Sequence, residues 1–556
     1  MPYPRPWLST YERLGVDWEA LPPVPEMTLS DYIRVYGQEY ADRIALVYFG
    51  VTISYSELDH LADKLAHGLL ATGAGKGDVL AIQLPNTPQY VLALIAAARI
   101  GMKVTSVSAL LTPPEVIHQC NDAKAKVLLT LDAIFNATQA ALAGKIPSLQ
   151  AVIVSSATEM LPGMPNATLC TTQLGDAAVE GLDAVLARAD TGHIRVAVDL
   201  DDVLYLQYTG GTTGKPKGAQ LSSRNILANN IQADVFYGYR KGKETVASAF
   251  PLFHIGGAAV LFNALCTAST FLVIADPRNI EQFCQEMKSF PPTILANVPA
   301  LFQMLVNAPA FQQLDWSSLR VAVSGAAPFS VDEIKRLEAV VGAGKFCEVY
   351  GMTETAPVQT LNPASAFKPG YVGIPLPGTD LRIVDPESGE NLPLGAPGEV
   401  VVSGPQVMSG YLAMPEASAE SLREYEGKRW MHTGDIGFLD EEGYLKICDR
   451  SKDMLIVGGY KVFSVELESK LQSLPFVEMS AVVGRPDQER PGNDVVQVYV
   501  QRNDAEPRND AKQKAAIIEF CRANMAPYKV PKEVFFVDAI PLTSVGKIDK
   551  KALRVT

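Results

Sequence analysis

Between Tyr208 and Gly218 the chain reads Tyr-Thr-Gly-Gly-Thr-Thr-Gly-Lys-Pro-Lys-Gly. A strand-like run over residues 203–207 precedes it, and Ser222-Ser223-Arg224-Asn225-Ile226 follows as a capped helix start. Strand, hydroxyl-rich loop, helix is a geometry that aims backbone N–H groups at an anion. Gly210, Gly211 and Gly214 let the main chain approach closely. Thr209, Thr212 and Thr213 add hydroxyl donors and Lys217 a positive charge, so the expected ligand is a polyphosphate. The run is not a Walker A loop, because Thr209 stands where that motif needs glycine and Pro216 follows Lys215. An idle surface turn is the simpler alternative, and the density of Gly, Thr and Lys speaks against it.

A second constellation is Glu348-Val349-Tyr350-Gly351-Met352-Thr353-Glu354-Thr355. Tyr350 offers an aromatic face to a base, and Thr353 a hydroxyl to phosphate. Glu354 is a hard oxygen ligand suited to Mg²⁺, which uses one or two carboxylates together with phosphate oxygens. Upstream, Ser324-Gly325-Ala326-Ala327-Pro328 ends a strand-like run. Small residues there would let a flat ring lie against backbone at the edge where open α/β sheets bind ligands, and a tight turn is the alternative. Asp435, on Thr433-Gly434-Asp435, can accept both ribose hydroxyls, or serve only as an Asx-turn carboxylate.

Elements must hold these groups. At 556 residues the chain is too long for one core. Residues 28–150 alternate helix-like and strand-like segments, with strands near 79–84 and 127–130 and an apolar helix over 90–99. The alternation resumes after the glycine-rich loop, with strands near 246–250, 293–296 and 319–323. This predicts layered α/β units on a mostly parallel sheet. From Gly370 to about residue 448, Pro and Gly become dense and strands shorten, which reads as a small β-barrel or distorted sheet. Beyond Asp449 an α+β pattern follows: helices near 465–474 and 511–522, strands near 480–483 and 495–500. The expected domains are therefore 1–448 and 449–556.

The seven cysteines show no C-x-x-C and no paired spacing, which argues against disulfides and zinc and fits a reducing, cytoplasmic compartment. There is neither an H-E-x-x-H nor a G-x-S-x-G. The N-terminus lacks the apolar run of a signal peptide. The uncharged stretch Gly256 to Ala275 is long enough to suggest a membrane span, but Gly256-Gly257, Asn263, Thr267 and Ser269 interrupt it, so buried helix plus strand is expected. A net charge of −13 argues against nucleic acid as a partner. The balance is uneven: +3 from Arg450 onward, −16 before it. A mildly basic tail facing an acidic body suits polyanionic substrates, though scattered solvated charge would look the same.

The loop around Gly211 resembles the signature of the adenylate-forming superfamily of acyl-CoA synthetases, luciferases and peptide-synthetase adenylation domains. Most members carry Ser at the position of Gly210, and Gly there resembles the long-chain fatty acyl-CoA synthetase branch. Matching motifs run in the family's order from Leu84-Pro85-Asn86 to Lys547, nearly the whole chain. The resemblance implies a large N-terminal domain and a small mobile C-terminal one, with ATP, Mg²⁺ and CoA as cofactors. It places Gly325, Ala326, Ala327, Tyr350, Gly351, Thr353, Asp435 and Arg450 around the adenylate, and His254, Gly325, Ala326 and Gly351 beside the acyl pocket. Glu354 would hold the metal, and Asp449 would be the hinge. Gly459 would line the CoA tunnel, and Lys547, in Pro541-Leu542-Thr543-Ser544-Val545-Gly546-Lys547, would be the catalytic lysine. Many relatives carry Pro where this chain has Ser464.

The implied reaction converts a carboxylic acid, expected to be a medium- or long-chain fatty acid, to acyl-AMP with release of pyrophosphate, then to acyl-CoA. An aryl or short-chain acid is the alternative substrate. A peptide-synthetase module is disfavoured, since no carrier domain follows Lys547. An inactive ATP-binding regulatory protein is the alternative class, against which Lys547, Glu354 and Asp435 speak. Peripheral membrane contact and a homodimer are compatible with the sequence, which reads neither directly.

Overall fold

The structure is a computed structural model that describes residues 3–209, 216–458, 460–488, 490–503, 507–543 and 547–554. Gly210, Gly211, Thr212, Thr213, Gly214 and Gly459 therefore lie outside the described residues. The chain divides into two compact units. One comprises Trp7–Asp380 with Ser403–Met431; the other comprises Met1–Pro6, Leu381–Val402 and His432–Thr556.

The larger unit is built on two nine-stranded sheets. In the first, Ile44–Tyr48, Thr270–Val273, Thr245–Ser248, Ile294–Asn297, Val321–Ser324 and Phe346–Gly351 form a parallel run, and Val358–Asn362 folds back antiparallel. The second has the parallel core Lys103–Ser106, Val79–Gln83, Ala125–Leu131 and Ala151–Ser155. Parallel strands need crossovers, and the helices that supply them carry explicit start signals. Ser54 and Glu57 form a capping box on Tyr55–Ala71. The helix Pro88–Ile100 is buried along its full length, starts with Pro in its first turn, and ends at Gly101 with φ 70°. The layered α/β reading thus holds. The stretch from Gly256 to Ala275 contains the helix Ile255–Cys266 and the strand Thr270–Val273, both mostly buried. Among the described residues no helix is long and apolar enough to cross a membrane.

A third sheet has five strands, in the order Asp380–Val384, Gly398–Ser403, Lys428–Leu439 and Leu422–Tyr425, with Leu445–Arg450 pairing beside Lys428–Leu439. This sheet occupies the region expected to form a small β-barrel or distorted sheet. The rest is α+β as expected: Val477–Pro486, Asp494–Arg502 and Glu533–Val537 form a three-stranded sheet. The helices Ser464–Leu471 and Asp510–Asn524 pack on it through Leu467, Leu471, Ile517 and Cys521.

Candidate active site

The glycine-rich loop corrects one expectation. Lys217–Ser222 is a strand, antiparallel to Val203–Thr209 with Lys217 opposite Thr209. The helix begins only at Ser223, with Ser222 as its cap. At about 3.3 Å per residue, the six-residue strand separates Lys217 from that helix N-terminus by roughly 20 Å. The sequence misled because Gly218 and Ala219 carry little strand propensity. Pairing decides instead: Ala219 lies opposite Gln207 on one side and Tyr411 on the other. Gly218 packs closely on its neighbour, since a Cβ would come within 3.1 Å of the Tyr208 ring. Lys217 is thus a strand residue, its Nζ 5.0 Å from the centre of the Tyr411 ring.

Glu354 lies in the one-turn helix Thr353–Thr355 and is buried, 5% exposed. Its Oε1 accepts from Tyr411 Oη at 2.8 Å, and its carbonyl accepts from Met408 N at 2.9 Å. Ser409 N and Leu412 N donate to the carbonyls of Gln220 and Gly218, at 3.1 and 2.8 Å, which fixes the Tyr411 segment to the loop's second strand. Burial and the neighbouring carboxylate push the Tyr411 hydroxyl well above the ordinary tyrosine range, so it stays a donor. A buried carboxylate, a neutral phenol and an ammonium therefore gather at the end of one hairpin. The carboxylate is the hard-oxygen donor that Mg²⁺ requires. Tyr411 was not singled out as a site residue in the sequence. Its signal was present, since Gly404-Pro405-Gln406-Val407-Met408-Ser409-Gly410-Tyr411 is one of the matching family motifs.

Gly325, Ala326 and Ala327 follow the strand Val321–Ser324, and Tyr350 and Gly351 end the strand Phe346–Gly351. The reason for glycine at 325 differs from that expected. A Cβ there would stand 2.6 Å from Val349 Cγ2, so the neighbouring strand requires it and no ring is needed. At Gly351 a Cβ would meet the Pro357 carbonyl at 1.8 Å. Ala326 sits at φ 72°, a conformation that costs a non-glycine residue roughly 1–2 kcal/mol. Ala326 also packs on a buried hydrophobic cluster that includes Ala296, Val321, Val323, Cys347, Val358 and Phe250. Tyr350 and Thr353 are half-buried. His254 caps the helix Ile255–Cys266, its Nδ1 accepting from Gly256 N at 3.1 Å, which leaves Nε2 to carry the proton of the neutral ring. It begins a helix rather than ending a strand.

In the smaller unit Asp435 and Arg450 face each other across Lys428–Leu439 and Leu445–Arg450, with Arg450 Nε 2.8 Å from Asp435 Oδ1. The two residues expected at ribose are therefore partners, and a ribose would meet an ion pair. Asp435 is held within its strand: Gly434 adopts φ 69°, Glu399 accepts from Gly434 N, and Thr433 Oγ1 accepts from Asp435 N. Lys547 is exposed, on a short hairpin closed by Thr543 N to the Lys547 carbonyl (2.7 Å) and by the Leu542–Ile548 bridge. Asp449 is buried in the strand Leu445–Arg450, opposite Ile436.

The AMP-binding enzyme family model matches residues 33–412, and that of the AMP-binding enzyme C-terminal domain matches residues 466–547. The chain belongs to the AMP-binding enzyme family. A long-chain-fatty-acid–CoA ligase of Escherichia coli O6:H1 is 34% identical, covering 99% of this chain and 97% of the relative. A feruloyl-CoA synthase of Amycolatopsis is also 34% identical, over 91% and 94%. ATP-bound MatB from Rhodopseudomonas palustris superposes with a TM-score of 0.81 at 28% identity, covering 95% of this chain and 99% of that one. The chain is an acyl-CoA synthetase, and such adenylate-forming ligases use ATP, CoA and Mg²⁺.

One consequence concerns the residue the sequence reading omitted. Tyr411→Phe leaves the synthetase with a buried Glu354 carboxylate short of a donor, at a cost of about 1–3 kcal/mol. Thermal unfolding should fall by a few degrees, and the Mg²⁺ concentration giving half-maximal pyrophosphate release should shift. An unchanged melting point and magnesium dependence would show that the hydrogen bond orients nothing.

Proposed function

We propose that the synthetase activates medium- or long-chain fatty acids. The observation that carries this reading is the buried hydrophobic cluster on which Ala326 packs, which includes Ala296, Val321, Val323 and Val358, with Val349 packed against it. The fatty-acid ligase relatives, and Gly at position 210, support it. An aryl acid is the second reading, favoured by the feruloyl-CoA synthase relative. The seven free cysteines accord with a cytoplasmic site of action.

A carboxylate is a poor electrophile, and the first step remedies that. One of its oxygens attacks the α-phosphorus of ATP, the bond to the bridging β-phosphate oxygen breaks, and pyrophosphate leaves. Catalysis is positioning plus neutralisation of charge. Thr209, the Gly210–Gly214 loop and Lys217 hold the departing phosphates. Glu354 would hold Mg²⁺, which would supply positive charge against those phosphates. Tyr350, Thr353, the Gly325–Ala327 segment and the Asp435–Arg450 pair orient the nucleoside and phosphate. Lys547 neutralises charge developing between carboxylate and α-phosphate. In the second step the CoA thiolate attacks the acyl carbon and AMP departs, with Gly459 beside the pantetheine arm and His254 on the acyl wall. No protein nucleophile is needed. Because Lys547 and the thiol call for the same space, residues 449–556 turn about Asp449 between steps.

The test of the substrate is a series of straight-chain acids. Each buried methylene contributes at most about 0.8 kcal/mol, so kcat/KM should rise a few-fold per carbon until the pocket ends. A flat profile from acetate upward would contradict an apolar acyl tunnel.

A further inference from the structure

Ser464 is a fully buried serine at the first position of a helix, and the structure gives it a use. The helix Ser464–Leu471 has Phe463 at its cap position, with no side-chain cap of its own. Its first N–H groups would otherwise lack acceptors. The buried carboxylate of Asp449 fills that place. Asp449 Oδ2 accepts from Ser464 N, and Oδ1 accepts from Ser464 Oγ at 3.0 Å and from Arg450 N at 2.7 Å. Ser464 Oγ in turn accepts from Lys550 Nζ at 2.5 Å, and the same ammonium lies 2.7 Å from Glu468 Oε1. Ser464 is fully buried, Asp449 is 2% exposed, and the Lys550 side chain is 11% exposed. Proline at 464 could supply neither the N–H nor the hydroxyl.

We infer that Ser464 and Lys550 are positioning residues that clasp the hinge carboxylate Asp449 to the segment bearing the catalytic lysine. The inference rests on the hinge reading above. Lys550 lies three residues beyond Lys547, on the far side of the hairpin closed by Thr543 and the Leu542–Ile548 bridge. Asp449 lies next to Arg450, whose guanidinium holds Asp435. The clasp therefore joins the Lys547 loop to the nucleotide-binding pair through buried, charge-assisted hydrogen bonds, the strong kind. It also selects the bond that turns. Rotation about ψ of Asp449 would leave the side chain behind and tear it from Ser464, whereas rotation about φ carries the side chain along with the tail. The clasp thus removes one of two torsional freedoms. Adenylation, which needs Lys547 placed closely, gains most from that restriction, because a misplacement of about 1 Å can cost on the order of 100-fold. Transfer to CoA does not use Lys547 and gains least.

Ser464→Pro is the decisive variant, because proline is well tolerated at the first position of a helix. It removes both of the donors that Ser464 offers to Asp449 and leaves that from Arg450 N. ATP-dependent pyrophosphate release should fall roughly tenfold, while CoA transfer from supplied acyl-AMP stays within about twofold of wild type, a split that loss of general stability does not produce. Ser464→Ala keeps the N–H and should lie between, Ser464→Thr should restore the wild-type ratio, and Lys550→Met should reproduce the split from the other end. Equal losses in both half-reactions, or none in either, would overturn the clasp. Lys547→Ala measured alongside separates the two ideas. If Lys547→Ala itself fails to split the half-reactions, the hinge reading falls; if it splits them and Ser464→Pro does not, only the clasp falls.

Discussion

Lys547→Ala is expected to abolish acyl-AMP formation and to leave thioester formation from supplied acyl-AMP close to wild type. The expectation follows from what each step demands. In adenylation, negative charge from the carboxylate and from the α-phosphate crowds into one transition state, and a fixed cation is the cheapest remedy. Removing one such stabilising group costs about 10²–10³-fold in rate where it has been measured. In thiolation the leaving group is AMP and the attacking group a thiol, so the charge to be met is smaller and the lysine is away from it. The hairpin that carries Lys547 is anchored by backbone hydrogen bonds from Thr543 and Asp549, so truncating an exposed side chain leaves its fold intact. The measurement is each half-reaction alone, by pyrophosphate release without CoA and by acyl-CoA appearance from acyl-AMP. Equal slowing of both would mean that Lys547 is a general structural anchor and that the two-pose account is wrong.

Glu354→Gln should reduce adenylation by orders of magnitude, and added Mg²⁺ should recover part of it. Glutamine keeps the length and can still accept from Tyr411 Oη, so the packing around position 354 survives. It loses the negative charge that makes this oxygen a ligand for a hard cation. Partial recovery at high Mg²⁺ is the distinguishing feature, because a merely misfolded site would not respond to metal. Wild-type pyrophosphate release at limiting Mg²⁺ would remove Glu354 from the metal site.

Much of this was legible in the sequence because the chemistry sits at strand ends, and strand ends are punctuated. Ser324-Gly325 and Tyr350-Gly351 each close an apolar run and lie at strand ends, whereas Thr433-Gly434-Asp435, which reads as a turn, lies inside the strand Lys428–Leu439. What the sequence misassigned were the causes. Gly325 reads as a cradle for a ring, but the steric demand comes from Val349 on the next strand, a contact between residues 24 positions apart that no local pattern encodes. Lys217–Ser222 reads as the end of a loop because its strand character comes from pairing with residues 203–209 on one side and 410–411 on the other. Tyr411 was invisible as a partner of Glu354 for the same reason: their approach depends on a two-residue strand docking beside the hairpin. The buried Asp449–Ser464–Lys550 chain spans three separated segments, and only the bare fact of Ser in place of Pro hinted at it.

The measurement that bears most directly on the account is a competition in one vessel. Dodecanoate and ferulate at equal concentration, with limiting enzyme, ATP, Mg²⁺ and CoA, give two thioesters whose initial ratio equals the ratio of their kcat/KM values. The fatty-acid reading, with the hydrophobic cluster of Ala296, Val321, Val323 and Val358 beside Ala326, predicts dodecanoyl-CoA in large excess, with AMP and pyrophosphate formed in step with it. Feruloyl-CoA in excess would contradict the fatty-acid assignment and make the synthetase an aryl-CoA ligase.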